Sequence, residues 1–263
     1  MRSLPLALSL LLLSCAPNKS SVIIAGSTSV QPFIEKVAEH FTEKYPGIRI
    51  DVQGGGSTAG VQAVINGTCD IGVSSRNLKP EERGLKVILL ALDGIAVILH
   101  RDNPIEDLTV AQVRSIFAGR MTNWQELGGI DAEIIPVTRE EGSGTRASFE
   151  AMIMAEEVIS DACLVQDSNG AVREIIATTP QGVGYVSVGL VDDREKAVAI
   201  NGVRPTIANL ITEKYGFARP FLMLLRDDPS GDVKKFIDYA RSEEGQEILG
   251  GSGLIPANMI AAD

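Results

Sequence analysis

Three times in this chain a short apolar run ends in a turn of glycine and hydroxyl residues and passes into a segment with helical spacing. Val22-Ile23-Ile24-Ala25 runs through Gly26-Ser27-Thr28-Ser29 into 30–44, where Val30, Phe33, Ile34, Val37, Ala38 and Phe41 recur on one face. Ile48-Arg49-Ile50-Asp51-Val52 runs through Gly54-Gly55-Gly56-Ser57-Thr58 into a helix to about Ile65. Ile134-Ile135-Pro136-Val137 runs through Thr138-Arg139-Glu140-Glu141-Gly142-Ser143-Gly144-Thr145-Arg146 into a helix to about Ile159. A further strand, Asp70-Ile71-Gly72-Val73, ends at Ser74-Ser75-Arg76. Strand, turn and helix recurring in this order predict an α/β fold with parallel strands and a ligand at their C-terminal edge.

The rest of the chain is plainer. Val87 to Ala91 and Ile95 to Leu99 read as two strands around an Asp93-Gly94 turn. Thr109 caps a helix over 110–117, and 170–178 is a second helix. Strands are expected at 163–165, 182–188, 198–200 and 220–225, and one amphipathic helix over 233–249.

A turn that opens a helix presents N–H groups without intrahelical partners at the positive end of the macrodipole, which suits an anion. Ser29, Ser57 and Ser143 each stand where an N-cap residue belongs, and Ser75 closes the third strand beside them. Arg139 adds a planar fork suited to two oxygens, and Glu141, two residues on, is placed to hold it. Taken singly, each turn is equally an ordinary capped helix, and Arg139 a solvated side chain. Converging, they would surround a small oxyanion with mostly neutral donors.

Charge makes such local donors necessary. The formal net charge is −10, so the surface as a whole repels nucleic acid and anionic membrane faces. Aromatics make up only 5% of the chain, too few for a stacking platform for single strands. At the N-terminus, Arg2 followed by the apolar run Leu4 to Leu13 reads as a signal peptide too short to span a bilayer. Leu12-Leu13-Ser14-Cys15 resembles a bacterial lipobox, which implies cleavage before Cys15, acylation of its sulfur and a tether over 15–21. Cys69 and Cys163 are expected as two separate, mostly buried thiols.

Enzyme signatures are thin. No Gly-x-Ser-x-Gly elbow surrounds Ser29, Ser57, Ser143 or Ser252, and the only histidines are His40 and His100. His-Glu-x-x-His, paired cysteines and the P-loop Gly-Lys-Ser/Thr are missing too, so no catalytic residue, metal or cofactor is expected.

Gly26 to Phe33, Gly54 to Gly60, Asp70 to Arg76, Arg139 to Arg146 and Gly182-Val183-Gly184-Tyr185 together resemble the phosphate-binding protein family of bacterial phosphate ABC transporters. The resemblance runs from about residue 20 to the end, in the family's order. It implies a two-lobed type II periplasmic-binding-protein fold, each lobe a mixed, mostly parallel sheet flanked by helices, with a two-strand hinge. Lobe I would take 20–97 plus 202–263, and lobe II 98–201. Phosphate would be held by Thr28, Ser29, Ser57, Ser75, Arg139, Ser143, Gly144 and Thr145, with Glu141 clamping Arg139. The loaded protein, a monomer anchored outside the membrane by lipid alone, would dock on an ABC permease.

Some family members carry an Asp where this chain has Ser75. That Asp accepts a hydrogen bond from a protonated phosphate, so discrimination against sulfate is open here. Asp93 is either a turn residue or a substitute acceptor, and Arg76 either a second charge on the ligand or half of a lobe-surface ion pair. A receptor for sulfate or molybdate, a secreted hydrolase and a surface adhesion or signalling module are the rival expectations.

Overall fold

A computed structural model describes residues 20–260. The signal segment, Cys15 and most of the tether lie outside the described residues. The opening pattern folds as expected. Strand β1 (Ser20–Gly26) lies between β2 (Ile48–Gly54) and β3 (Ile71–Ser74), parallel to both. Helices α1 (Gln31–Lys44) and α2 (Ser57–Ile65) make the crossovers. Gly60 lets α2 settle onto the sheet: a Cβ there would meet Ala25 O, the Gly26 Cα and Val73 O, all inside 3.0 Å. Val22, Ile24, Ile71 and Val73 bury against Phe33, Ile34, Val37 and Phe41 of α1. Phe41 also packs among Tyr45, Phe236 and Tyr239.

Strand β4 (Lys86–His100) organises the rest. The two strands expected around an Asp93-Gly94 turn are this one continuous strand of 15 residues. Turn chemistry yields because Asp93 finds a buried cationic partner across the sheet. Gly94 serves close packing instead, since Leu210 and Val188 side chains lie where its Cβ would be. The first half of β4, to Gly94, pairs antiparallel with β11 (Ala218–Leu225). From Ile95 to Leu99 it pairs antiparallel with β8 (Gly182–Ser187). Beyond β8 lie β6 (Ile135–Arg139) and β7 (Leu164–Gln166), all three parallel. The order β2-β1-β3-β11-β4-β8-β6-β7 thus joins two mostly parallel halves through β4.

Each half has its own core. The second gathers Trp124, Phe117, Phe149 and Tyr185, with the last two rings stacked 3.9 Å apart. Leu210 and Tyr215 also pack in this core, although their segment follows residue 202. The helix after β6 starts as α4 (Gly144–Phe149), continues as a π turn to Met154 and stops there, short of Ile159. Between β4 and β6 lie β5 (Asp107–Leu108) and α3 (Val110–Phe117), α5 (Asn169–Thr178) precedes β8, and β9 (Glu195–Ala197) and β10 (Ala199–Ile200) follow it. The C-terminal helix is two, α6 (Gly231–Arg241) and α7 (Glu243–Gly251), because Ser242 turns extended and caps the second by accepting from Gly245 N. Cys69 and Cys163 are free thiols, and burial pushes both up to about 11. Among the described residues no helix is long and apolar enough to cross a membrane.

Candidate anion-binding site

The C-terminal ends of β1, β3 and β6 meet where the halves face each other. Ser27 Oγ donates to Ser75 Oγ at 2.9 Å, Ser75 N to Ser57 Oγ at 3.0 Å, and the Ser57 and Ser75 hydroxyls lie 3.3 Å apart. From the other half, Thr145 Oγ1 lies 2.6 Å from Ser29 Oγ. Thr58 N donates to Gly142 O at 3.1 Å, and Ser148 Oγ to Ser75 O at 3.2 Å. Ser29, Ser57, Ser75, Ser143 and Thr145 are all buried. The structure therefore brings the separate turns into one buried cleft.

Of the serines read as caps, only Ser143 caps. Its Oγ accepts from Arg146 N, leaving the Gly144 and Thr145 N–H groups without an intrahelical acceptor. Val30 occupies the N-cap of α1, and Gly56 that of α2, neither with a side-chain cap bond. The hydroxyls of Ser29 and Ser57 thus face the cleft rather than their own helices.

Arg139 ends β6 with its side chain 1% exposed. Its Nε donates to Glu140 Oε2 at 3.0 Å and Gln166 O at 3.1 Å. Its Nη2 donates to Glu140 Oε1 at 3.0 Å, Asp167 O at 2.9 Å and, across the cleft, Thr28 Oγ1 at 3.2 Å. Its Nη1 is buried with no acceptor among the described residues. The clamp is Glu140, not Glu141. Glu140 N pairs with Gln166 O, which folds the Glu140 side chain back along the fork, while Glu141 is exposed. Below, Tyr185 Oη holds the strand end by accepting from Arg139 N at 3.3 Å.

Two assignments change. Asp93 is fully buried in β4, its Oδ2 accepting from Arg219 Nε and Nη2 at 3.0 and 2.9 Å and its Oδ1 from Ser187 Oγ at 2.7 Å. Asp93 stands inside a continuous strand, so it is not a turn residue, and the partners its oxygens meet are Arg219 and Ser187 rather than the serines of the cleft. Burial raises its carboxyl and lowers the Arg219 guanidinium from their ordinary values, while each pulls the other back. Arg76 is buried and bidentate to Glu82 at 2.7 and 2.8 Å, with Thr58 Oγ1 at 3.2 Å, so it is a buried structural pair rather than a surface one.

Arg76 hydrogen-bonds Glu82 and holds its carboxyl below the usual range, so the pair's stabilisation is present above that range and fades on acidification. Glu82→Ala strands a buried cation and is expected to cost about 3 kcal/mol in urea unfolding at neutral pH, and less as the pH falls through the carboxylate range.

Sequence reasoning missed Arg219 and Asn169. Asn169 Nδ2 donates to Ser29 Oγ at 2.8 Å, and Arg219 Nη2 approaches the same oxygen at 3.3 Å. Arg219 opens an apolar strand just before Pro220. Only its register opposite Asp93 reveals its place.

Residues 14–244 match the family model of a PBP superfamily domain. Phosphate-binding protein PstS of Bacillus subtilis (strain 168) is 34% identical over 243 residues, covering 90% of this chain and 80% of that one. The chain belongs to the phosphate-binding protein family of this superfamily. A family structure from Clostridium perfringens, a phosphate ABC transporter substrate-binding protein with bound phosphate, superposes with TM-score 0.88 at 40% identity, covering 90% of this chain and all (100%) of that one. An ABC-type phosphate transport receptor from Vibrio cholerae gives 0.73 at 36% identity, over 89% and 99%. The family's two-lobed type II fold is the one described above, with β4 running through both halves of the sheet.

Proposed function

We propose that this chain captures inorganic phosphate between two closing lobes and delivers it to an ABC permease. One observation carries the reading: Arg139 is fixed through Nε and Nη2, while the buried Nη1 has no acceptor among the described residues and so suits an oxyanion. Around it, Thr28, Ser29, Ser57, Ser75 and Thr145 supply hydroxyls, and Gly144 and Thr145 supply first-turn N–H groups. Nearly all of these donors are neutral, and the one cation is half-compensated by Glu140. The site therefore selects by geometry rather than by attracting every anion.

A boundary near Asp93 on β4 and Arg219 on β11 suits the two cores better than one at 202. The segment carrying Leu210 and Tyr215 then travels with the second lobe. The resemblance of Leu12 to Cys15 to a lipobox supports a location outside the cytoplasmic membrane on a lipid anchor, and the reading takes the protein as a monomer. Binding without turnover is the reading, and Ser143, which caps α4 by accepting from Arg146 N, keeps its own O–H for a ligand oxygen.

Selectivity rests on hydroxyls. Hydrogen phosphate carries a proton and sulfate none; serine oxygens both donate and accept, so Ser57 and Ser75 can take a P–OH without a carboxylate. Calorimetry at neutral pH is expected to give roughly micromolar or tighter phosphate binding, at least about tenfold tighter than sulfate or molybdate. Sulfate or molybdate binding more tightly than phosphate would transfer the assignment to that anion.

A further inference from the structure

The polarity of Ser29 can be read from its neighbours. Its Oγ touches Asn169 Nδ2 at 2.8 Å, Arg219 Nη2 at 3.3 Å and Thr145 Oγ1 at 2.6 Å. A guanidinium has no acceptor, so the Arg219 contact runs one way. The amide of Asn169 is oriented as well, because its Oδ1 accepts from Ser187 N at 3.3 Å, leaving Nδ2 toward Ser29. A hydroxyl has two lone pairs and one hydrogen. Both lone pairs of Ser29 are therefore filled, and its O–H can only be given away, to Thr145 or to whatever occupies the cleft.

Arg219 is held for this task. Asp93 sits directly opposite it in the β4–β11 register and takes two of its N–H groups. Ser187 Oγ locks the far carboxylate oxygen, and Arg219 Nη1 approaches Ser75 O at 3.4 Å. The pair thus stands where β4 passes from β11 to β8, and it touches Ser29 and Ser75 on one side and Ser187 on the other. Such burial of two charges is costly unless their hydrogen bonds are well made, and here they are. Because Asp93 cancels the charge of Arg219, the pair offers an anion little net attraction of its own.

We propose that Arg219, clamped by Asp93, is a positioning residue of the binding site: together with Asn169 it fills the lone pairs of Ser29 and so fixes that hydroxyl as a donor to the bound oxyanion. The corner of the site at Ser29 then takes an unprotonated ligand oxygen, and a P–OH must point elsewhere. The inference rests on the phosphate reading above.

A double-mutant cycle read by calorimetry with inorganic phosphate tests it. Ser29→Ala and Arg219→Lys are each expected to weaken binding about tenfold, the loss of one oriented hydrogen bond to an ion. Lysine keeps the charge but cannot reach Asp93 and Ser29 together. If Arg219 acts through Ser29, the double variant binds within about twofold of Ser29→Ala alone. A multiplicative loss of about a hundredfold, or no loss in either single variant, overturns the proposal. Thermal melts without phosphate show whether Arg219→Lys folds. Should it not fold, Asn169→Ala in the same cycle carries the test, with the same non-additivity expected and a multiplicative loss again overturning it. Wild-type protein that fails to bind phosphate would instead remove the function proposed above, a result distinct from an additive cycle in a protein that binds.

Discussion

Arg139→Met is expected to lower phosphate affinity about a thousandfold, roughly 4 kcal/mol, while leaving the fold intact. The size follows from burial. A dianion taken out of water needs fully formed, charge-assisted bonds, and in this cleft Arg139 is the guanidinium with a buried nitrogen unclaimed by any described residue. Methionine keeps the aliphatic packing at the end of β6 and removes the fork. It also frees Glu140, whose half-exposed carboxylate would then stand uncompensated at the cleft and repel the ligand. Arg139→Lys separates the two effects. A lysine ammonium restores charge without the fork and reaches either Glu140 or the ligand, so it recovers only part of the loss. Calorimetry on the three proteins decides the point: affinity within tenfold of wild type in Arg139→Met would take Nη1 off the ligand.

What could be read in the sequence, and what could not, divides by distance along the chain. The strand-turn-helix units of β1-α1, β2-α2 and β6-α4 were legible because apolar spacing and turn residues are local signals. That the turns of Ser29, Ser57 and Thr145 meet in one cleft could not be read from spacing; the fold alone brings them together. Errors came where a neighbour from far away decides. Asp93-Gly94 carries turn chemistry, yet Arg219, 126 residues on, turns it into the middle of a strand. The clamp on Arg139 fell to Glu140 because β6 ends at Arg139 and β7 captures the next residue through Gln166 O, which local spacing does not show. Serine before a helix suggested caps at Ser29 and Ser57. The helices start elsewhere, and the freed hydroxyls are the ones the cleft uses. Local rules thus failed mainly at the site, where residues serve a ligand and the opposite lobe rather than their own element.

Gly144→Ala is expected to separate stability from binding. Gly144 opens α4 and is buried, and it is not among the glycines with positive φ. Its backbone therefore suits alanine, and alanine in a helix is favoured over glycine by up to about 1 kcal/mol. Across the cleft, however, the added Cβ would fall against Ser57 Oγ and 2.5 Å from Ser75 Oγ, inside the 3.0 Å that real Cβ contacts respect. Neither hydroxyl has room to retreat, since both are buried and tied to each other, to Ser27 Oγ and to Ser75 N. The methyl would wedge the lobes apart, and only the closed form meets it. Phosphate affinity should drop about a hundredfold, near the roughly 3 kcal/mol upper range for overpacking, with the ligand-free melting temperature unchanged or raised. Gly142→Ala is the control: its Cβ would lie 3.8 Å from Thr58 Cβ, an ordinary contact, so binding should hardly change. A lower ligand-free melting temperature in Gly144→Ala would mean that the fold itself, and not closure, rejects the methyl. Near-normal affinity would mean that phosphate is held without α4 meeting Ser57 and Ser75 this closely.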